Sequence, residues 1–241
     1  MKLFGKRSVS ERIKTNPQSI RKIYLQEGLL RPEIAESARK NNLRIETLSV
    51  RKFTQFAQGF HTQGVMADVE EIQYADYDEI IAIEPKEKKY TLICLDRIND
   101  PQNLGVILRN SACFGGFCIV LPKHETVEIT EAVLKVACGA ENYVPVCKVS
   151  NLSVAVQKAQ EHGYWVGATV VQAGEHPGKV KLNFPLCLLF GSEGEGIRKG
   201  LIKHIDYKFT LPMRAGLSFN VAMAVGIFCY EVICQKNNYE C

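Results

Sequence analysis

No apolar stretch of this sequence approaches the roughly 18 consecutive residues that a membrane-spanning helix needs. The opening segment, MKLFGKRSVSERIK, carries charges but lacks an apolar core of signal-peptide length. We therefore expect a cytoplasmic protein that does not enter a membrane. The nine cysteines include no C-x-x-C pair, and their odd number and scattered positions argue against a disulfide framework and against a zinc site. We expect most of them to be reduced and no metal to be bound.

The glycine-rich turn at residues 191–196, GSEGEG, follows the apolar run LCLLF but fits neither of two common phosphate-binding patterns. A P-loop ends in Gly-Lys-Ser/Thr, whereas Lys199 is followed here by Gly200. A dinucleotide fingerprint reads G-x-G-x-x-G, whereas this turn reads G-x-x-G-x-G and lies far along the chain. Its two glutamates would also repel a pyrophosphate. The turn therefore favours a neutral or cationic ligand.

Charge is distributed unevenly along the chain. Residues 1–60 contain 13 Lys and Arg against 5 Asp and Glu, a net charge of +8, whereas the whole chain carries +4. Residues 61–241 therefore carry a net charge of −4. A basic module ahead of a mildly acidic one is typical of a nucleic-acid-binding segment joined to a catalytic domain. A solvated lysine-rich surface is the structural alternative.

Strands and helices alternate along the chain, which predicts an α/β protein with two domains. The first, residues 1–82, is a small α/β unit, and a charged, Pro-containing linker at residues 83–89 follows it. Residues 90–241 repeat the alternation with longer elements, which predicts a mostly parallel sheet with helices on both faces. The last helix, predicted over residues 218–236, contains the apolar run VAMAVGIFC. A helix without a wet face is buried on more than one side, so we expect a homodimer.

Polar residues at three predicted strand ends of the second domain indicate a ligand site, because α/β sheets bind ligands there. Arg109 lies on a helix that is otherwise nearly apolar, so we expect a carboxylate or phosphate partner. Asn103 and Ser218 are each also explained as helix caps. Asn220, just inside the last helix and ahead of its apolar run, is less expected and should have a partner.

Three segments at these strand ends together resemble the SpoU-type, or TrmH-like, RNA 2′-O-ribose methyltransferases of the SPOUT superfamily. The motifs of that family read approximately N-x-G-x-x-x-R, G-x-E-x-x-G and P-M…S-L-N-V-S. This sequence has NLGVILR at residues 103–109, GSEGEG at residues 191–196, and PM…SFNVA at residues 212–222. Phe219 and Ala222 stand where the family commonly has Leu and Ser, and the loop ahead of them is one residue shorter than usual.

The resemblance extends to bacterial enzymes that methylate a guanosine ribose of large-subunit ribosomal RNA. LKVACGAENYVPVCKVSNL is similar to the segment between their first two motifs, and FHTQGVMADV to the end of their amino-terminal RNA-binding domain. The resemblance therefore implies that ribosomal RNA is the partner and substrate. Two alternatives stay open, a transfer RNA 2′-O-ribose methyltransferase of the same family and a non-catalytic RNA-binding relative.

The resemblance also implies a fold, a cofactor and a set of site residues. The carboxyl-terminal part of the sheet would be tied in a trefoil knot whose loops bind S-adenosylmethionine. Backbone groups would hold this cofactor at Gly191, Gly196, Leu211 and Phe219. The catalytic set would be Arg109, Asn103, Glu193, Ser218 and Asn220. Arg109 would act either as a base or as a cation that stabilises the developing alkoxide, and we favour the cation because guanidinium barely titrates.

Overall fold

The structure, a computed structural model, describes residues 1–84, 89–192, 194–214 and 217–237. Its strands are β1 (Lys2–Phe4), β2 (Ile20–Gln26), β3 (Ile45–Leu48), β4 (Val65–Val69), β5 (Thr91–Leu95), β6 (Phe117–Pro122), β7 (Val146–Val149), β8 (Trp165–Thr169), β9 (Leu186–Phe190) and β10 (Tyr207–Phe209). Its α-helices are α1 (Lys6–Thr15), α2 (Pro32–Lys40), α3 (Val50–Ala57), α4 (Tyr77–Ala82), α5 (Pro101–Phe114), α6 (Glu131–Ala137), α7 (Leu152–Glu161), α8 (Lys199–Ile202) and α9 (Val221–Lys236). Short 3-10 helices lie at Pro17–Ser19, Ala140–Asn142 and Pro177–Lys179.

The chain divides into two compact units, one of which is assembled from two separate segments. The first unit contains residues 1–73 together with residues 128–143, and the second contains residues 74–127 and the chain from 144 onward. Helix α6 and the 3-10 helix after it thus complete the amino-terminal unit, where α6 packs against α1 and β1. The sequence predicts that this segment belongs to the second domain, because it lies between elements of that domain and no local pattern indicates contact with the first unit.

The boundary near residue 80 also differs from the predicted one. Residues 74–82, predicted as the end of the first domain, belong to the second unit, because Tyr77 and Ile81 are buried in its core. The hydroxyl of Tyr77 donates to the backbone carbonyl of Ala155 in that core, at 2.7 Å. Of the predicted linker at residues 83–89, residues 85–88 lie outside the described part of the chain.

The sheet of the first unit has the strand order β1-β4-β2-β3. β2 and β3 are parallel and are joined by α2, as the predicted crossover requires, while β4 is antiparallel to both β1 and β2. The carboxyl ends of β1, β2 and β3 therefore lie at one edge of the sheet, beside the amino end of β4. The sequence does not predict β1, because a strand of three residues is too short to show a periodic pattern.

The sheet of the second unit has the strand order β10-β8-β9-β5-β6-β7, and its pairings are all parallel. The predicted parallel α/β sheet is therefore confirmed. Strands β5, β6 and β9 are buried along their whole length, which explains their continuous apolar sequences TLICL, FCIVLP and LCLLF.

Helices cover both faces of this second sheet. On one face, Leu189 of β9 shares a core cluster with Val156 of α7. The next residue, Phe190, points to the opposite face, as successive strand residues do. There its ring meets that of Phe228 from α9 edge-to-face, with the ring centroids 5.6 Å apart.

Helix α9 packs closely along α5. A side chain at Gly226 would begin 2.8 Å from Nδ2 of Asn110, and this same amide donates to the carbonyl of Ala222 at 3.1 Å. On its other side α9 presents Met223 and Tyr230, which are 57% and 50% exposed. The apolar run in the last helix thus forms a core face and an apolar outer surface. Within the described residues, neither α9 nor any other helix is long and apolar enough to cross a membrane.

A buried ion pair joins the two segments of the first unit. Nη2 of Arg12 lies 3.4 Å from Oε1 of Glu141, and both side chains are almost completely buried. Arg12 also donates to Oγ of Ser19 at 3.2 Å. Burial raises the pKa of Glu141 above its ordinary value, although the Arg12 guanidinium favours the ionised form. The pair fixes residues 128–143 to α1.

We expect Arg12→Ala to destabilise the first unit strongly. The substitution leaves the Glu141 carboxyl buried without a cation, and removing one partner of a buried pair commonly costs about 3–5 kcal/mol. Lys14→Ala is the matched control, because Lys14 pairs with Glu11 at 3.0 Å on the exposed side of the same helix. An exposed pair contributes only about 0–1 kcal/mol. Urea unfolding followed by circular dichroism should separate the two variants, and equal losses would contradict the importance of the buried pair.

Candidate functional site

The polar segments singled out in the sequence lie at the carboxyl edge of the second sheet. They follow β5, β9 and β10, and β5 and β9 are direct neighbours there. The backbone N–H of Asp96, which follows β5, donates to the carbonyl of Phe190 at the end of β9, at 2.8 Å. The glycine-rich loop and the first motif therefore begin side by side.

The carboxylate of Asp96 holds the far end of the glycine-rich loop. Asp96 has no exposed surface. Its Oδ2 accepts the backbone N–H of Arg198 at 2.9 Å, and its Oδ1 accepts the Nε–H of the same residue at 2.7 Å. Nη1 of Arg198 in turn donates to Glu125 at 2.8 Å. Because a buried carboxylate is unfavourable unless it is paired and hydrogen-bonded, these contacts fix the loop against β5.

Arg97 fastens the middle of the same loop. Its backbone is left-handed, with φ of 60°, and its guanidinium pairs with the carboxylate of Glu195. Nη2 of Arg97 also donates to the carbonyl of Gly196 at 3.3 Å. Glu195, which the sequence suggests would repel a pyrophosphate, is thus neutralised by a neighbouring cation. Glu193, the loop's other predicted carboxylate, lies outside the described residues.

Gly191 lets the glycine-rich loop close on itself. A Cβ at this position would overlap the backbone of Gly196 and Ile197. The backbone N–H of Gly196 donates to the carbonyl of Ser192 at 3.0 Å, which closes the turn. The glycine at this position is therefore required by the loop's own backbone, whereas the sequence suggests only the close approach of a ligand.

Asn103 and Asn220 bring the first and third motifs together. Nδ2 of Asn220 donates to Oδ1 of Asn103 at 2.8 Å, so the prediction that Asn220 has a partner is confirmed. Oδ1 of Asn220 accepts the backbone N–H of Ala222 at 2.9 Å, which makes Asn220 the N-cap of α9. The predicted helix start at Ser218 is therefore wrong, and Ser218 is an exposed residue of the preceding loop. Asn103 is not a cap either, because Asp100 caps α5.

A cleft of about 470 Å³ opens beside these loops. Its apolar wall contains Phe190, Phe209 and Phe228, and the Phe228 ring centroid lies 5.6 Å from each of the other two. In the described part of the chain, its lining includes no lysine or arginine. The predicted site residues that line it are Gly191, Gly196, Leu211, Ser218 and Phe219.

Arg109 does not line this cleft. Its side chain is exposed, while the residues beside it on α5, Ile107 and Leu108, are fully buried. Among the described residues, no hydrogen bond or ion pair to its guanidinium is present. The structure thus gives Arg109 no carboxylate partner within the described chain, and the alternative of a phosphate or substrate partner stays a prediction.

The sequence does not predict several residues that shape the site. The sequence does contain a signal for Asp96, because it is the first polar residue after the buried run TLICL. No local sequence pattern indicates its pairing with Arg198. The same holds for the contribution to the cleft of Thr169, at the end of β8, and of Val170 and Val171, which follow it. Among the described residues, no cluster of His, Cys, Asp and Glu could hold a metal ion.

Comparisons of sequence identify relatives for both units. A model of the SpoU rRNA Methylase family matches residues 90–230, and one of the RNA 2′-O ribose methyltransferase substrate-binding domain matches residues 2–75. The chain is 32% identical to the 23S rRNA (guanosine-2′-O-)-methyltransferase RlmB of Pseudomonas syringae pv. tomato, over 98% of this chain and 96% of that protein. It is 33% identical to YacO of Bacillus subtilis, named for the TrmH family of tRNA/rRNA methyltransferases, with the same coverage.

Solved structures share the fold. The SpoU methyltransferase AviRb of Streptomyces viridochromogenes, in complex with AdoMet, gives a TM-score of 0.81 at 18% identity, over 99% of this chain and 91% of that one. An AdoMet-bound rRNA methyltransferase from Sinorhizobium meliloti gives a TM-score of 0.78 at 20% identity, over 95% and 85%. The fold, the three motifs and the full-length relatives agree, and the chain belongs to the SpoU rRNA methylase family.

Proposed function

We propose that this protein transfers a methyl group from S-adenosylmethionine to a ribose 2′-hydroxyl of RNA, and that the target is a guanosine of large-subunit ribosomal RNA. The observation that carries the proposal is the full-length similarity to RlmB, whose name specifies this reaction. YacO, named for both tRNA and rRNA, keeps a transfer RNA substrate as the second candidate. A cytoplasmic location is part of this proposal.

The cleft at the carboxyl edge suits S-adenosylmethionine. Its phenylalanine wall offers an apolar surface for an adenine, and the backbone groups at Gly191, Leu211 and Phe219 offer hydrogen bonds. Its described lining lacks the cations that a nucleotide phosphate would need, which agrees with a sulfonium cofactor. Gly196, with φ of 67°, supplies the left-handed backbone that this loop adopts beside the cleft. The trefoil knot, implied by the family, stays a prediction.

When bound, S-adenosylmethionine supplies an electrophilic methyl group, and the chain must activate the hydroxyl that receives it. The pKa of a ribose hydroxyl lies far above neutrality, so its oxygen becomes strongly negative as the proton leaves. The exposed guanidinium of Arg109 stays protonated and can donate to this oxygen. The Asn103–Asn220 hydrogen bond holds the starts of α5 and α9 together and so fixes the helix that carries Arg109. We assign Ser218 and Glu193 to positioning of the substrate.

A homodimer would cover the apolar outer surface of α5 and α9. Phe114, Met223 and Tyr230 are each more than one third exposed, and the rings of Phe114 and Tyr230 lie 6.3 Å apart. Such an apolar patch is typical of a subunit interface. The occupant that we propose is the same surface of a second copy, because a two-fold contact pairs a patch with itself.

S-adenosylmethionine should stabilise the protein. A ligand that binds only the folded state at a hundredfold excess over its dissociation constant contributes about 2.7 kcal/mol. Gly191→Ala should abolish this thermal shift, because its Cβ would overlap the backbone of Gly196. Gly200→Ala is the matched control, since a Cβ there meets open space. The absence of any shift in the unaltered protein at millimolar cofactor would overturn the cofactor assignment.

Arg109→Ala should leave folding and cofactor binding intact and reduce methyl transfer roughly a hundredfold or more, the scale typical of a positioned catalytic group. Arg109→Lys should restore little, because an ammonium lacks the planar fork.

Ribose methylation is mapped in total RNA from a strain that lacks the gene. The unaltered gene should restore one methylated guanosine of large-subunit ribosomal RNA, and the Arg109→Ala gene should not. A methylated transfer RNA would select the second candidate, and full restoration by Arg109→Ala would remove Arg109 from the mechanism.

Light scattering at micromolar concentration should report a particle of roughly twice 27.0 kDa. Met223→Glu should shift the protein towards monomer, because it places a charge in the proposed interface. Val154→Glu, at a position of α7 that is 51% exposed, is the control and should leave the mass unchanged. A monomer for the unaltered protein would refute the proposed interface.

A further inference from the structure

One edge of the first unit gathers four loops. Here the chain segments that follow β1, β2 and β3 lie beside the segment that precedes β4, and we call this surface the loop edge; it comprises residues 5–7, 26–31, 49–52 and 61–64. Backbone hydrogen bonds connect these segments, from Gly5 to Val65 at 3.0 Å, from Gln26 to Gly64 at 3.0 Å, and from Glu27 to Leu48 at 2.8 Å.

The loop edge is strongly basic. Its exposed cations are Lys6, Arg7, Arg51 and Lys52, and the half-buried Arg31 adds a fifth. Glu27 is the acidic residue within these segments, and Glu33, just beyond them, pairs with Lys6 at 2.8 Å. Arg7 lies near Glu11 of α1 and helps to lower the pKa of that carboxyl, whereas no hydrogen bond or ion pair to Arg51 or Lys52 is present among the described residues. The excess of cations means that this surface attracts anions.

Helix stability does not explain where these cations lie. Helices α1 and α3 begin at the loop edge, and their first turns carry basic residues but no acidic ones. Cations are unfavourable at the positive end of a helix dipole. No side chain caps α1 or α3, so no side-chain oxygen offsets the positive charge at either helix start. These cations are therefore placed unfavourably for the helices that carry them. Their position indicates an anionic partner from outside the chain.

An ordered apolar tip projects from the same surface. Leu30 is 89% exposed and Leu29 is 40% exposed, directly beside Arg31. Nη2 and Nε of Arg31 donate to the carbonyl of Gln63 at 2.7 and 3.2 Å, and Leu29 packs against Gly64. The tip is thus held in position although it is exposed. An apolar side chain among cations suits an unpaired base flanked by phosphates, because bases within a duplex are stacked on one another.

The sheet face that packs partly against α3, where Tyr24 lies beside Phe53 and Ala57, is less suitable for RNA. Its charges alternate across the strands and neutralise one another. Lys22 pairs with Glu46, and the hydroxyl of Tyr24 donates to Asp68 at 2.7 Å. Burial and the neighbouring Asp68 raise the pKa of Tyr24 to about 12, so its hydroxyl stays protonated and can donate at neutral pH.

We infer that the loop edge binds the RNA substrate at an unpaired nucleotide, with Arg7, Arg51 and Lys52 on the flanking phosphates and Leu30 against the base. The identity of the partner rests on the proposed function and on the match of residues 2–75 to a substrate-binding domain. The docking surface itself rests on charge and exposure in the first unit.

The test uses full-length protein and transcripts that tile bacterial large-subunit ribosomal RNA, with binding measured at several salt concentrations. The loop-edge variant is Arg7→Gln, Arg51→Gln and Lys52→Gln. The control is Arg21→Gln, Arg39→Gln and Arg44→Gln, which removes the same charge from exposed residues at the opposite edge of the unit. We expect the loop-edge variant to bind about tenfold more weakly or worse, with a salt slope lower by about 2, and the control to match the unaltered protein.

A second arm tests the apolar tip. Leu30→Ser should weaken binding to the preferred transcript and leave the salt slope unchanged, because it removes no charge. Equal losses in the two triple variants, unaltered binding by the loop-edge variant, or no RNA binding by the unaltered protein would each overturn the inference. S-adenosylmethionine binding and methyl transfer are measured in parallel. Retained loop-edge binding of RNA without methyl transfer would reject the proposed function and leave the docking surface standing.

Discussion

The geometry of the site depends on one buried carboxylate, that of Asp96. Through its backbone N–H it touches the last residue of β9, and through its side chain it binds Arg198, so both ends of the glycine-rich loop are tied to β5. A loop fixed at both ends has few conformations to lose when a ligand binds. The cleft is therefore shaped by the sheet before any cofactor arrives, and loss of the Asp96 carboxylate would release the loop that closes it.

Much of the fold follows from patterns that are local in sequence. The buried runs of the parallel sheet are continuous and apolar, and β9 was predicted over the same residues that the structure gives it. Strand β1 was not predicted, because its position depends on pairing with β4, more than sixty residues away. The attachment of residues 128–143 to the first unit could not be predicted either, since it rests on contacts such as Arg12 with Glu141.

Site residues within short motifs can be predicted from the sequence, whereas contacts between residues that lie far apart in the chain cannot. Gly191, Leu211 and Phe219 lie together around one cleft, and their role in holding the cofactor stays a prediction. The pairing of Asp96 with Arg198 joins distant parts of the chain. For Arg109, the apolar neighbours on its helix are a poor guide to whether its own side chain is buried. Consecutive residues of a helix point in directions about 100° apart, so the buried Leu108 says little about the residue that follows it. Helix ends were misplaced by a few residues, because Asn220 and not Ser218 satisfies the first N–H groups of α9.

The divided amino-terminal unit has a consequence for the order in which the protein matures. During synthesis, residues 1–73 leave the ribosome well before residues 128–143, which supply the carboxylate that faces Arg12. The nascent unit therefore holds a cation without its counter-charge until part of the catalytic sheet has also emerged. The first unit and the methylase unit are thus completed in one interleaved process, and a polypeptide cut between them would leave the first unit unfinished.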